Sequence, residues 1–220
     1  MRPDQRTEAG TPRAHLMASP CPTAQRLSRD ALRSGPLSVM ARVLEPAVLT
    51  TLDAVAADRL PRLRVVGDVD SVRRVLDRGL EEAEFGPGWL AEWLSEDVIF
   101  LARLFQELTK ALRLQIRLEA VEDDACRRFP TDNVRFRLVT TYRGPGTEWI
   151  SPHLTTISPS GAPAPTDAIR RLDRGHIAIM RGGREATAES PGLLHRSPPI
   201  AGIGVTRLFL AIDDAADHEC

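Results

Sequence analysis

The spacing of apolar residues changes near residue 113, and this change restricts the possible folds more than any other feature of the chain. Before it, apolar side chains recur every three or four positions, as they do on one face of an amphipathic helix. After it, apolar and polar side chains alternate, as they do in a strand with one buried face. The first alternating segment has its apolar positions at Leu114, Ile116, Leu118 and Ala120. Helices followed by strands in a separate block indicate an α+β fold.

The N-terminal block is predicted to be a helical lobe over residues 41–112. A first helix runs from Leu44 and ends before Pro61, because proline cannot continue a helix. A second helix begins at Asp70 and ends before the Gly86-Pro87-Gly88 break. A third helix, with Ser95 as its N-cap, carries a broad apolar face that continues to Leu112.

The C-terminal block, residues 113–214, is predicted to be an antiparallel β part. Further strand patterns occur at residues 134–139, 176–180 and 206–212, and glycine- and proline-rich turns separate them. Strands without intervening helices favour a jelly roll, also called a double-stranded β-helix or cupin-like core, over a doubly wound sheet. The two blocks together are predicted to form a single globular domain over residues 41–214, and residues 215–220 are predicted to form a short tail.

Composition excludes several classes of protein. The 29 basic residues nearly cancel the 30 acidic ones, so the chain has no overall basic charge for nucleic acid. No apolar run is long enough for a membrane span. Three scattered cysteines suggest neither a disulfide framework nor a zinc site, so a cytoplasmic location is expected.

Residues 1–40 are polar and rich in proline, which predicts a disordered tail or sequence upstream of a start at Met17 or Met40. The oligomeric state stays open.

Several blocks of the chain carry a resemblance to a known family. They are Cys126-Arg127-Arg128-Phe129, Asp132-Asn133-Val134, Arg137-Leu138, the run from Thr141 to Trp149, His195-Arg196-Ser197-Pro198-Pro199 and Arg207. In these blocks the chain resembles the bacterial family called domain of unknown function 1826, over most of residues 41–214. The resemblance implies a link to bacterial metal homeostasis, although the family itself is uncharacterised.

The same blocks resemble, more distantly, the jelly roll of the iron/2-oxoglutarate-dependent oxygenases. In such a site two histidines and one carboxylate hold Fe(II), and open positions remain for the keto acid and oxygen. The resemblance implies that Asp132 and His195 are metal ligands and that Arg207 binds the remote carboxylate of 2-oxoglutarate. It also implies that Thr141 and Tyr142 line the cofactor pocket, with Tyr142 and Arg207 assisting catalysis. Read as a strand residue alone, Arg207 could instead face solvent or pair with Asp213 or Asp214.

The chain departs from this pattern at Pro130, where the family has the first histidine. Proline offers no lone pair to a metal, so one of the three expected ligands is missing. Cys126, His153 and His176 are candidate substitutes. Three explanations stay open: loss of metal chemistry, a substitute ligand, or a different placement of the motif.

Two functions from different classes follow from this reasoning. The first is an Fe(II)/2-oxoglutarate dioxygenase that hydroxylates a small molecule or a protein side chain. The second is a cupin-like protein that binds a metal or a small molecule without turnover, which the Pro130 departure favours. A further alternative is an interaction module that uses the helical lobe as its surface.

Overall fold

The computed structural model describes residues 27–124, 128–151 and 166–218. The α-helices of this part are α1 (Arg29–Ser34), α2 (Pro46–Ala54), α3 (Val69–Glu82) and α4 (Gly88–Thr109). Its strands are β1 (Leu37–Met40), β2 (Leu63–Gly67), β3 (Leu114–Val121), β4 (Phe136–Arg143), β5 (Glu148–Ile150), β6 (Ile169–Arg171), β7 (Ile177–Arg181), β8 (His195–Arg196) and β9 (Arg207–Asp214). Within the described residues, no helix is both long and apolar enough to cross a membrane.

The strands form two antiparallel sheets. One sheet has six strands in the order β1-β7-β4-β9-β3-β2, and the other has three in the order β6-β5-β8. From β3 onwards the chain passes repeatedly between the sheets, because β4, β7 and β9 join the larger one while β5, β6 and β8 join the smaller one. Two antiparallel sheets exchanging strands in this way make a jelly roll. The predicted α+β fold with a jelly-roll core is therefore confirmed.

Alternate residues of each strand in the larger sheet point to opposite faces. One face, here called the helical face, packs against the helices through a row that includes Ile116, Leu138 and Leu210. The other, here called the inner face, packs against the smaller sheet through residues such as Val139 and Ala211. The inner face carries the polar residues of the candidate site.

The three helices predicted within residues 41–112 are present as α2, α3 and α4, but not all of their boundaries agree with the prediction. α3 begins one residue after Asp68, whose carboxylate accepts a hydrogen bond from the Ser71 amide at 2.8 Å. α4 begins at Gly88, so Ser95 is not its N-cap but a buried residue that bonds Asp77. α4 ends at Thr109 because Lys110 turns left-handed with φ of 66°, and Leu112 beyond it is 87% exposed.

Two other segments differ from the expected organisation. Residues 29–40 form α1 and β1 where the sequence suggested a tail without structure. The Ser28 hydroxyl caps α1, and Leu37 and Val39 of β1 pack into the inner-face core, so apolar contacts stabilise a segment that lacks an obvious periodicity. Within the predicted helical lobe, β2 leaves the helices and pairs with β3. Residues 1–26 lie outside the described part of the chain.

Candidate functional site

The structure brings Asp132 and His195 together between the two sheets. His195 is the first residue of β8, and its amide donates to the Pro130 carbonyl at 3.1 Å, which ties the segment before β4 to the smaller sheet. The His195 Nε2 lies 2.9 Å from the Asp132 Oδ2, and its Nδ1 lies 3.2 Å from the Leu193 carbonyl. Two residues that are 63 positions apart in sequence therefore meet, as the resemblance implies.

Arg137 forms the next layer of contacts around this pair. Its Nη1 donates to the Oδ2 of Asp132, the same oxygen that contacts His195. Its Nε and Nη2 donate to the two carboxylate oxygens of Asp213, each at 2.6 Å. The Nε2 of His218 lies 3.3 Å from Asp213 on its other side. We call Asp132, Arg137, Asp213 and His195 the Arg137 cluster.

The Arg137 cluster keeps the Asp132 carboxylate ionised. Burial alone would raise the pKa of Asp132, but the hydrogen bond and charge of His195, with the charges of Arg137 and Arg117, outweigh burial and lower that pKa to about 2. Asp132 is therefore an anion at neutral pH, and its charge is already matched by neighbouring cations.

Arg207, at the start of β9, lies on the inner face at the end of the sheet away from Asp213. Its side chain is 1% exposed. The Nη2 donates to the Thr141 hydroxyl at 2.9 Å and to the Thr147 hydroxyl at 2.7 Å, and the Nη1 donates to Ser197 at 3.4 Å. The guanidinium also stacks over the Phe209 ring, 4.4 Å from its centroid. Only uncharged groups therefore surround this cation.

The charge of Arg207 is uncompensated in the described part of the chain. No acidic side chain there forms an ion pair with it, and its buried Nε has no hydrogen-bond partner. Burial lowers the pKa of Arg207 to about 9, so the guanidinium still carries its charge at neutral pH. A buried cation with an unused donor is unfavourable unless an anion completes it. This arrangement fits a carboxylate ligand.

The Arg207 site and the Arg137 cluster are neighbours through β8. Ser197, which contacts Arg207, lies two residues after His195, about 7 Å along an extended chain. A small ligand bound to Arg207 would thus extend along β8 towards His195.

Tyr142 does not line this pocket, contrary to the sequence prediction. It is 0% exposed on the helical face, where its hydroxyl donates to Asp97 at 2.7 Å and its ring packs edge-on against Trp93. Burial raises the pKa of the Tyr142 phenol well above its usual value, and the Asp97 charge adds to this effect. Its neighbour Thr141 points to the inner face and contacts Arg207, as predicted. Adjacent strand residues face opposite sides, so only one of the two could reach the pocket.

His176, the proposed substitute ligand that lies within the described residues, does not join the His195–Asp132 pair. The Nε2 of His176 lies 3.8 Å from Asp173, and its neighbour Gly175 bonds Thr141 at the start of β7. The backbone carbonyl of Asp132 instead accepts a hydrogen bond from the Gly183 amide, which lies beyond the other end of β7. Cys126 and His153 lie outside the described residues.

The described residues fit the two implied cofactors unequally. Arg207 and its hydroxyl neighbours fit the remote carboxylate of a keto acid. For Fe(II), they supply one imidazole and one carboxylate, and no cluster of three metal-ligating side chains occurs among them. Pro130 stands where the resemblance implies a histidine. The facial triad of the oxygenases is therefore not formed by this part of the chain.

Sequence reasoning missed three contributors to the site: Arg137, Thr147 and Ser197. Thr147 and Ser197 were within the motifs quoted above, but only folding shows that their hydroxyls converge on Arg207. Arg137 lies on the alternating strand pattern of β4 and would have been assigned to the inner face by counting from Thr141.

Comparison with solved structures finds similar folds at low sequence identity. A dioxygenase for auxin oxidation from rice is 13% identical with a TM-score of 0.43, over 84% of this chain and 75% of that one. The Arabidopsis thaliana dioxygenase for auxin oxidation 1, in complex with 2-oxoglutarate, is 11% identical with a TM-score of 0.45, over 84% and 85%. A Pseudomonas putida prolyl-4-hydroxylase is 14% identical with a TM-score of 0.39, over 84% and 90%.

Sequence comparison identifies the family but not a characterised relative. Among curated proteins, none is significantly similar to the chain. The family model described as "Protein of unknown function (DUF1826)" matches residues 25–213, which include the four α-helices, β1 to β8, all of β9 but its last residue, and the candidate site within the described residues. The resemblance seen in the sequence motifs is thereby confirmed, and the chain belongs to the DUF1826 family.

Proposed function

We propose that this protein binds a small dicarboxylate, 2-oxoglutarate or a close analogue, between the two sheets of its jelly roll. One carboxylate of the ligand pairs with the Arg207 guanidinium, and the hydroxyls of Thr141 and Thr147 orient that guanidinium. Phe209 packs beneath the same group and shields the ion pair from water. The protein thus acts first as a selective carboxylate-binding protein.

One observation carries this proposal: Arg207 is buried, charged and without an acidic partner in the described residues. A guanidinium kept only for structure would be expected to pair with a carboxylate, as Arg137 does with Asp213. The stacking and the hydroxyl contacts hold the group in place but do not neutralise it. A bidentate carboxylate would satisfy both the charge and the free Nε donor.

The experiment is calorimetric titration of the full chain with 2-oxoglutarate in the presence of a chelator, comparing the parent with Arg207→Met. Methionine keeps much of the apolar stem and removes the charge. Loss of a charged hydrogen-bonded contact is expected to weaken binding about 10- to 100-fold. Arg170→Met, which removes an exposed arginine from β6, is the matched control and should bind like the parent.

The thermal stability of the same variants separates a ligand site from a structural arginine. Because methionine replaces a desolvated, unpaired cation, Arg207→Met should be at least as stable as the parent without ligand. If the parent binds no dicarboxylate, or if Arg207→Met binds equally well, the proposal is wrong. A large loss of stability in the unliganded variant would assign Arg207 a packing role instead.

Dioxygenase activity is the second candidate function, and the 2.9 Å approach of His195 to Asp132 favours it. It needs a third ligand that the described residues do not provide. Anaerobic addition of Fe(II) and 2-oxoglutarate tests it, because chelation of iron by the keto acid gives a charge-transfer band. A band that disappears in both Asp132→Ala and His195→Ala would support this function. A parent without a band, beside a Pro130→His variant with one, would indicate a scaffold that lacks its iron.

A further inference from the structure

We propose that Arg137 supplies the positive charge of the Asp132–His195 site, in the place that a divalent cation would otherwise take. The inference does not depend on ligand binding at Arg207, and either can fail without the other. It rests on how Arg137 is held, on which carboxylate oxygen it uses, and on the charges around it.

Arg137 is held as a fixed bridge between two carboxylates. It lies on the inner face of β4, and its side chain is 12% exposed. Its Nε and Nη2 form a two-pronged contact with Asp213, whose side chain is 1% exposed, while Nη1 turns to Asp132. A planar guanidinium with three of its donors engaged has little freedom to move away.

The oxygen that Arg137 uses is the one a metal would need. Both the Nη1 of Arg137 and the Nε2 of His195 contact the Oδ2 of Asp132. A metal bound jointly by Asp132 and His195 would lie about 2 Å from its donor atoms. It would therefore lie against the guanidinium, and the repulsion between the two cations would oppose binding.

The surrounding charges already balance without a metal. Arg117 lies on β3, which β9 separates from β4, and it faces the same side of the sheet as Arg137. Its charge acts on both Asp132 and Asp213. Within the described residues, the buried Nε of Arg117 has no hydrogen-bond partner. Even without the His195 imidazole, two guanidiniums match the two carboxylates, so a dication would leave the cluster with excess positive charge.

Pro130 fits the same interpretation. The proline removes a ligand, and its carbonyl is instead used to fix the β8 backbone at His195. The resemblance implies a histidine at position 130 that would bind a metal together with the Asp132 carboxylate. In the proposal, the guanidinium of Arg137 contacts this same carboxylate and excludes the metal. Restoring the histidine alone should therefore not restore tight metal binding.

Titration of the metal-free full chain with Mn(II), followed by the paramagnetic resonance signal of free Mn(II), tests the proposal. The parent should show no site that depends on Asp132. Pro130→His with Arg137→Met should bind Mn(II) at least about 10-fold tighter than Pro130→His alone, since the repulsive charge is gone. Pro130→His with Arg170→Met, which loses the same net charge at an exposed position, is the control and should match Pro130→His.

Each outcome decides the question. Loss of the new site when Asp132→Asn is added to the double variant would support the assignment. Equal Mn(II) affinity in Pro130→His with and without Arg137→Met would overturn it. If the Arg137→Met protein does not fold, the titration of the parent protein is used instead. A tight Mn(II) site that Asp132→Asn abolishes would contradict the proposal, and the absence of such a site would support it. A parent site removed by Cys126→Ala or His153→Ala as well as by Asp132→Asn would identify a substitute ligand and also overturn it.

Discussion

Arg207 and Arg137 are both buried arginines on the inner face of the larger sheet, but neighbouring groups compensate their charges differently. Arg137 is neutralised by Asp132 and Asp213, and these contacts together outweigh burial and raise its pKa. Among the described residues, Arg207 contacts hydroxyl groups and an aromatic ring but no carboxylate, and burial lowers its pKa. The protein itself neutralises the charge of Arg137, whereas a bound ligand neutralises the charge of Arg207 in the function proposed above.

Asp132 should make the protein sensitive to acid. Its pKa in the folded chain is about 2 instead of the usual 3.8, so the unfolded chain takes up the proton first as the pH falls. The difference corresponds to about 2 kcal/mol of folding free energy, which is present above pH 4 and lost between about pH 4 and pH 2. Urea unfolding at several pH values, for the parent and for Asp132→Asn, measures this contribution.

The expected result is a stability difference between parent and Asp132→Asn that narrows across this pH interval. Asp123→Asn, at an exposed position, is the control and should give the parent's curve. A difference that stays constant down to pH 2 would show that Asp132 stabilises the fold by packing and not by its charge.

Single residues of the site were predictable only where the motif resemblance and strand alternation agree. Asp132, His195, Thr141 and Arg207 lie on the inner side, as the resemblance implies. The prediction for Tyr142 was wrong because this side chain points to the helical face, where β4 has an irregular register between Thr141 and Arg143. The ion pairs of Arg137 involve residues up to 76 positions away in the sequence. The local sequence around Arg137 does not indicate which distant residues will pair with it.

At the scale of elements, the turn between β4 and β5 controls the Arg207 site. Gly144 adopts a φ of 76° beside the Arg207 backbone, a conformation that favours glycine. Gly146 packs against the Leu172 backbone, and the Thr147 carbonyl next to it accepts from the Leu172 amide at 2.9 Å. The Thr147 hydroxyl then contacts Arg207. The two glycines of this turn therefore allow the close approach that positions a ligand-binding hydroxyl.

Gly146→Ala should disrupt this element and the site together. A Cβ at Gly146 would lie 1.9 Å from the Leu172 carbonyl oxygen, so the two backbones must separate. We expect a loss of about 2 to 4 kcal/mol in unfolding free energy and weaker dicarboxylate binding. Gly88→Ala, where an added Cβ meets nothing within 4 Å, is the control and should be neutral or slightly stabilising. Equal stability of Gly146→Ala and the parent would contradict the account.

Elements with a strong period were predicted well, and their ends were not. The alternation of Leu114, Ile116 and Leu118 matches β3, whose even residues are buried on the helical face. The start of α4 was missed because Pro87 and Gly88 read as a break, whereas proline before a first helical turn is favourable. β1 and β2 are short, and their pairing with distant strands is what stabilises them.

For the whole molecule, helices and sheet share one hydrophobic core. That core joins residues of α2, α3 and α4 to the helical face of β3, β4, β7 and β9. A buried ion pair between Arg42 and Asp97, which also accepts from Tyr142, links the helices to the sheet. The helical lobe and the β part distinguished in the sequence are therefore not separate folding units.

A fragment of residues 113–214 should not fold alone. It lacks β1 and β2, and the helical face of its sheet would be exposed to water. We expect a fragment without cooperative thermal unfolding, measured by circular dichroism, while the full chain unfolds in one transition seen equally by circular dichroism and tryptophan fluorescence. A soluble fragment with a sharp transition of its own would show that the two parts are independent.

In the function proposed above, Arg207 binds a carboxylate. Arginine side-chain nuclear magnetic resonance tests it most directly, because the Nε–H of Arg207 has no partner in the described residues and Arg207→Lys assigns its signal. The account predicts that this signal shifts downfield and saturates as 2-oxoglutarate is added in the presence of a chelator. A signal that stays unchanged while 2-oxoglutarate binds, or an absence of binding, would contradict the claim.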